Sequence, residues 1–394
     1  MNSPRLPVTF PGMSNYSLLF RPLAVTPSLS VRNRLVMAPM TTTSGNDDGS
    51  FSDAEIKYLA RRAEAGVGLI MTPACYCHKS GHSFDHQVGC HSDGMLPALA
   101  RCAEAINRGG AASFLQIHHG GNAARAQYSG RPPMAPSAVM NRRGTSELPQ
   151  AMTEDEIWLV IESFAAAAGR ARKAGFTGIE IHGANTYILQ QFFSPFTNKR
   201  TDKWGGDCRC DRCDRHAEHE ALELCHRLDN RARFAKEVLK AVRAEVGPNY
   251  PISYRISPEE PDPDGYSTHD AIQLLDILVP LGIDIIHVSA QKYGVGIRND
   301  YPADSHPTKM IKRAFPGTVV IGVGSILQPE QAVHVLEDGT DLVALGRALL
   351  LDADWALKVF EDRAAEIRTH LSSLEEVQLL EIPTPMKEYT KNRF

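Results

Sequence analysis

Eight short apolar runs recur along the chain, spaced so that most gaps hold one amphipathic helix. They are RLVMAPM (34–40), GLIMTPA (68–74), ASFLQIHH (112–119), GIEIHGA (178–184), ISYRIS (252–257), DIIHVSA (284–290), TVVIGVGS (318–325) and DLVALGRAL (341–349). Helical periodicity fills the intervals at 53–65, 96–108, 154–174, 232–246, 268–281, 329–336 and 354–370. Ser52 before the first helix and Gly66 after it are start and stop residues of the expected type. Strands with little polar alternation are buried on both faces, which marks a parallel sheet covered by helices. Eight strand–helix units predict a (β/α)8 TIM barrel with its core over about 33–360, in a single domain spanning 1–394 with a short N-terminal cap. The alternative is an open, doubly wound sheet. Its usual GxGxxG turn is missing after the first strand.

In a barrel, function gathers where the strands end. Polar residues fall there: Thr41 after strand one, Gln116 and His119 at strand three, His182 and Asn185 at strand four, and Arg255 at strand five. Gly322, Gly324 and Ser325 close strand seven, while Gly346 and Arg347 close strand eight. Glycines let main-chain N–H groups approach an anion and Arg347 adds a fixed charge, so the pair of ends predicts a phosphate site. A net charge of −4 offers no footprint for nucleic acid, and no apolar stretch nears the ~20 residues of a membrane span. Eight cysteines without a signal peptide read as free thiols in a reducing, cytoplasmic setting.

Particular stretches go further. LLFRPL (18–23), NRLVMAPMT (33–41), YLARRAEAGVGLIMTPA (58–74), QIHHGG (116–121), AGFTGIEIHGANTYILQQFFSPFTNKRTDKWGG (174–206) and LVALGRALL (342–350) resemble the old yellow enzyme family of FMN-dependent ene-reductases. The resemblance implies FMN, reduced by NAD(P)H, and a substrate that is an activated alkene or a quinone. It places Ala38, Pro39, Met40 and Thr41 along the isoalloxazine ring, Ala74 and Gln116 beside its pyrimidine part, and Arg255 facing N1 and O2. Gly324, Ser325, Gly346 and Arg347 match the phosphate grip. His182 and Asn185 match the pair that binds a substrate oxygen, His182 also touching the cofactor, and Tyr187 matches the proton donor. The pattern departs at Thr186, where glycine is common, and at Asn122, where arginine is frequent. Tyr76, Phe84, Tyr128 and Tyr293 are expected as wall residues.

Residues 208–227 read as an insertion after strand four, rich in cysteine and histidine. Cys208, Cys210, Cys213 and Cys225 are candidate metal ligands, but their spacing fits no standard zinc signature, and no metal is expected. The polar tail, 371–394, leaves a homo-oligomer open, and the stop soon after strand eight suggests a single-domain enzyme taking electrons directly from a nicotinamide. Two other readings stay open: a flavin-free phosphate-binding barrel enzyme, and a metal-binding scaffold built around the insertion.

Overall fold

The computed structural model describes residues 15–140, 147–205, 219–298, 301, 305–371 and 379–386. Eight strands, β1 (Leu35–Met37), β2 (Leu69–Met71), β3 (Ala112–His118), β4 (Gly178–Gly183), β5 (Ile252–Ile256), β6 (Ile285–Val288), β7 (Val319–Val323) and β8 (Leu342–Leu345), pair in sequence order. Every pairing is parallel, and β8 returns to β1, so the barrel closes. Closure leaves no unpaired sheet edge in the ring.

The twofold period of a strand explains why these runs look uniformly apolar. Alternate residues such as Val36, Leu69, Met71, Phe114, Ile285, Ile321 and Leu342 fill the barrel interior. Their neighbours Leu35, Ile70, Leu115, Ile179, Ile252, Ile286 and Val343 pack outward against the helices. Each such side chain contributes about 1.5–3 kcal/mol when fully buried, so a one-residue slip would exchange two apolar sets at little gain. Gly178 is needed for this interior, since a Cβ there would lie 2.4 Å from the Phe114 ring. The expected N-terminal cap is a hairpin, Leu23–Thr26 with Leu29–Val31, whose Leu29 and Val31 join the interior cluster.

The helices of five or more residues are α1 (Asp53–Glu64), α2 (Leu96–Arg108), α3 (Glu154–Lys173), α4 (Ile188–Phe193), α5 (His219–Val246), α6 (Thr268–Leu278), α7 (Pro307–Ala314), α8 (Pro329–Glu337), α9 (Arg347–Leu351) and α10 (Trp355–Phe360). The Ser52 side chain caps α1, accepting from Glu55 N, and Gly66 follows with φ 105°. Three sequence expectations need correction. The helix over 268–281 stops at Leu278 and tightens into a 3-10 turn over Val279–Leu281, because Pro280 and Gly282 (φ 104°) cannot continue it. The helix over 354–370 ends at Phe360, because Asp362 turns left-handed (φ 59°). Helix α7 lies between β6 and β7, where none was expected; Pro307 opens it after the His306 cap.

Cys75, Cys77, Cys90 and Cys102 are buried free thiols, as expected. Cys208, Cys210 and Cys213 lie outside the described residues, as does the side chain of Cys225. Residues 219–227 of the expected insertion form the start of α5. Among the described residues no group of histidines, cysteines and carboxylates is placed to hold a metal, and no helix is long and apolar enough to cross a membrane.

Candidate active site

Above the apolar interior the inward positions turn polar. Gln116 on β3, Glu180 on β4, Ser253 and Arg255 on β5 and His287 on β6 are all buried. The register sets Gln116 and Ser253 beside Glu180, and Arg255 beside both His182 and His287. Over this tier opens a cavity of about 190 Å3 lined by Pro39, Thr41, Ala74, Gln116, His182, Asn185, Tyr187 and Arg255. All eight were selected from the sequence. Ala38 lies lower, in the apolar interior, and Met40 sits beside Gly346, whose Cβ would come 3.4 Å from its sulfur.

The turn carrying His182, Asn185 and Tyr187 is held from one short helix. On α4, Gln190 accepts from Thr186 N (2.8 Å) and donates to Glu260 (2.8 Å), while Gln191 donates to the Thr186 carbonyl (2.7 Å). These bonds sustain two successive left-handed residues, Asn185 (φ 57°) and Thr186 (φ 64°). For a β-branched residue that conformation is strained, whereas glycine adopts it at no steric cost. Gln191 also donates to Asn122 Oδ1 at 2.7 Å, giving that departure a structural place.

Two hydrogen bonds orient the donors. Ala184 N donates to His182 Nδ1 (3.3 Å), so the ring's N–H is on Nε2. Ser289 Oγ donates to Asn185 Oδ1 (3.2 Å), which leaves the Asn185 amide N–H groups to act as donors. The Tyr187 ring meets His182 edge-on at 4.9 Å and His118 at 4.3 Å. Arg255 is buried, and its Nε has no partner among the described residues. Burial lowers its guanidinium from the ordinary value, with Glu180 partly offsetting this. A buried cation with a spare donor beside an open cavity fits an anionic or electron-rich ring.

At the ends of β7 and β8, Arg347 Nη2 donates to Ser325 Oγ at 2.6 Å, and Ser325 Oγ donates to the Gln291 carbonyl at 2.9 Å. Gly324 has φ 142°, and a Cβ there would meet Tyr293 N at 2.4 Å. Only glycine fits that position. A cavity of about 340 Å3 opens beside it, lined in part by Lys292, Tyr293, Gly324 and Ser325. Of the expected wall residues, Phe84 stands against Tyr187 (6.2 Å), Tyr76 and Tyr128 stack on His82, and Tyr293 lies by Gly322 and Gly324 instead.

Sequence reasoning missed Glu180, Ser253, His287 and His118. His118 is fully buried with neither ring nitrogen partnered among the described residues, and burial lowers its pKa to about 3. It also missed Glu55 on α1. That carboxyl is fully buried, accepts from Thr42 Oγ1 next to Thr41, and is raised to about 7 by burial. The folded chain therefore holds this proton more tightly than the unfolded chain does. Its contribution to stability is complete below about pH 4.5 and is lost as pH rises through 7, a change of about 3 kcal/mol. Melting curves from pH 5 to 8 should show wild type losing stability relative to Glu55→Gln; parallel curves would contradict this.

Comparison with known proteins identifies the family. The sequence profile of the NADH:flavin oxidoreductase / NADH oxidase family matches residues 18–215 and 226–366, skipping a stretch within the expected insertion. A Bacillus subtilis (strain 168) protein named "Probable NADH-dependent flavin oxidoreductase YqiG" is 33% identical, over 94% of this chain and 95% of that protein. NADH:fumarate oxidoreductase of Klebsiella pneumoniae (strain 342) is 33% identical over 96% of this chain, which spans 39% of that longer protein. The solved old yellow enzyme homologue of Zymomonas mobilis superposes with a TM-score of 0.73 at 25% identity, covering 91% of this chain and 96% of that one. The chain thus belongs to the NADH:flavin oxidoreductase / NADH oxidase family, within the old yellow enzyme group of FMN-dependent oxidoreductases that draw electrons from NAD(P)H.

Proposed function

We propose that the protein reduces activated alkenes, delivering hydride to the β-carbon of an α,β-unsaturated carbonyl compound or to a quinone. The observation that carries this is the convergence of His182, Asn185 and Tyr187 on one cavity with Thr41, Gln116 and Arg255. In this reading Pro39, Met40, Thr41, Ala74, Gln116 and Arg255 hold the isoalloxazine ring, with Ala38 below it. Gly324, Ser325, Gly346 and Arg347 hold the phosphate. FMN, when bound, supplies the hydride. The protein's own part is to orient the alkene and to manage charge and proton.

Hydride arriving at the β-carbon pushes electrons onto the carbonyl oxygen. His182 Nε2–H and the Asn185 amide, fixed by their own hydrogen bonds, donate to that oxygen as negative charge builds on it. Tyr187 then gives its phenolic proton to the α-carbon, completing addition across the double bond.

The proton step separates two acceptors. Changing Tyr187 to Phe should slow reduction of a cyclohexenone, which needs carbon protonation, while a quinone still turns over. Stopped-flow reoxidation with each acceptor checks this. Equal losses would mean that the phenol packs or binds and that the proton comes from elsewhere.

A further inference from the structure

Glu180 is a carboxylate in the middle of an apolar strand, with no exposed surface. Three donors meet it. Gln116 Nε2 donates to Oε1 at 2.8 Å, and Ser253 Oγ and His287 Nδ1 donate to Oε2, each at 2.8 Å. Burial alone would raise the carboxyl, but His287, Arg255 and these hydrogen bonds together hold it below its ordinary value. Burial in turn keeps the His287 imidazole below its ordinary value despite the carboxylate. Glu180 accepts from His287 Nδ1, and Arg255, paired with His287 across the strands, is the fixed cation of the tier. An ionised carboxylate can only accept, so the Gln116 amide has one allowed orientation: N–H down to Glu180, carbonyl oxygen away from it. The carboxylate belongs to the tier directly beneath the cavity that Gln116 and Arg255 line.

We infer that Glu180 is a positioning residue for the flavin. It fixes the Gln116 amide with its carbonyl towards the cavity, and it holds a negative charge under Arg255 that sets how readily bound FMN accepts electrons. A lone arginine would favour the electron-rich ring strongly. A carboxylate beneath it tempers that pull, so that electrons taken from a nicotinamide can be passed on. The inference rests on the reading that Gln116 and Arg255 face FMN, which flavin content tests separately.

The experiment is the midpoint potential of bound FMN in wild type, Glu180→Gln and Glu180→Asp, after the flavin content of each has been measured. Loss of the charge in Glu180→Gln should raise the potential, and Glu180→Asp should restore it towards wild type. Ser253→Ala is the milder variant should Glu180→Gln not fold. With one donor fewer the carboxyl takes a proton at higher pH than in wild type, so its potential should rise above the wild-type value as pH falls and match it at alkaline pH. A Glu180→Gln potential equal to wild type with FMN retained, or a Ser253→Ala difference independent of pH, would overturn the inference. Wild-type protein that holds no FMN would instead count against the assignment of the cavity.

Discussion

Replacing His182 with alanine is expected to slow hydride transfer to an enone by roughly 10² to 10³, the cost of losing one preorganised oxyanion donor. The argument rests on the bond from Ala184 N to His182 Nδ1, which leaves the Nε2–H as the ring's donor. Asn185 remains and keeps part of the stabilisation. Flavin reduction by NAD(P)H should be affected less, since that half-reaction builds no charge on a substrate oxygen. Anaerobic stopped-flow of the two half-reactions resolves this. Equal losses in both would show that His182 supports the cofactor rather than the substrate.

The second large effect belongs to the phosphate end. Arg347→Ala removes a guanidinium that joins the ends of β7 and β8 through Ser325. A charge-assisted contact to a phosphate is worth about 1.5–3 kcal/mol, so FMN should bind roughly tenfold to a hundredfold more weakly. Arg347 is exposed, which places the expectation towards the lower figure. Repeated gel filtration followed by flavin absorbance measures retention. Unchanged FMN content would remove Arg347 from the grip.

The strands were legible because burial on both faces leaves runs that only a covered parallel sheet explains; Thr41, Gln116, His182, Asn185 and Arg255 followed because they cluster at one end of those runs, whereas Ala74 was reached only through the family resemblance. Limits appeared where local signals compete. Helix α7 has eight residues and announces itself only by His306 and Pro307, too little to mark a helix by periodicity. Asp362 is an ordinary helix residue by composition, and only its left-handed φ in the folded chain ends α10. Glu180 was hidden differently. It stands inside GIEIHG, two positions before the histidine that attracts notice, and nothing local says that residues from β3, β5 and β6 converge on it. A charged residue centred in an apolar strand was the available signal. Thr186 shows the reverse case, since its departure from glycine was visible in sequence but its strained φ was not.

The central claim is that one cavity holds FMN and presents an activated alkene to it with the oxygen on His182 and Asn185. The most direct test is rapid mixing of anaerobically reduced, FMN-loaded protein with a cyclohexenone while the flavin absorbance is followed. The account predicts that the oxidised flavin spectrum returns at a rate that rises with enone concentration and falls by roughly 10² to 10³ in His182→Ala. Return no faster with enone than in buffer, or equally fast in both proteins, would contradict it.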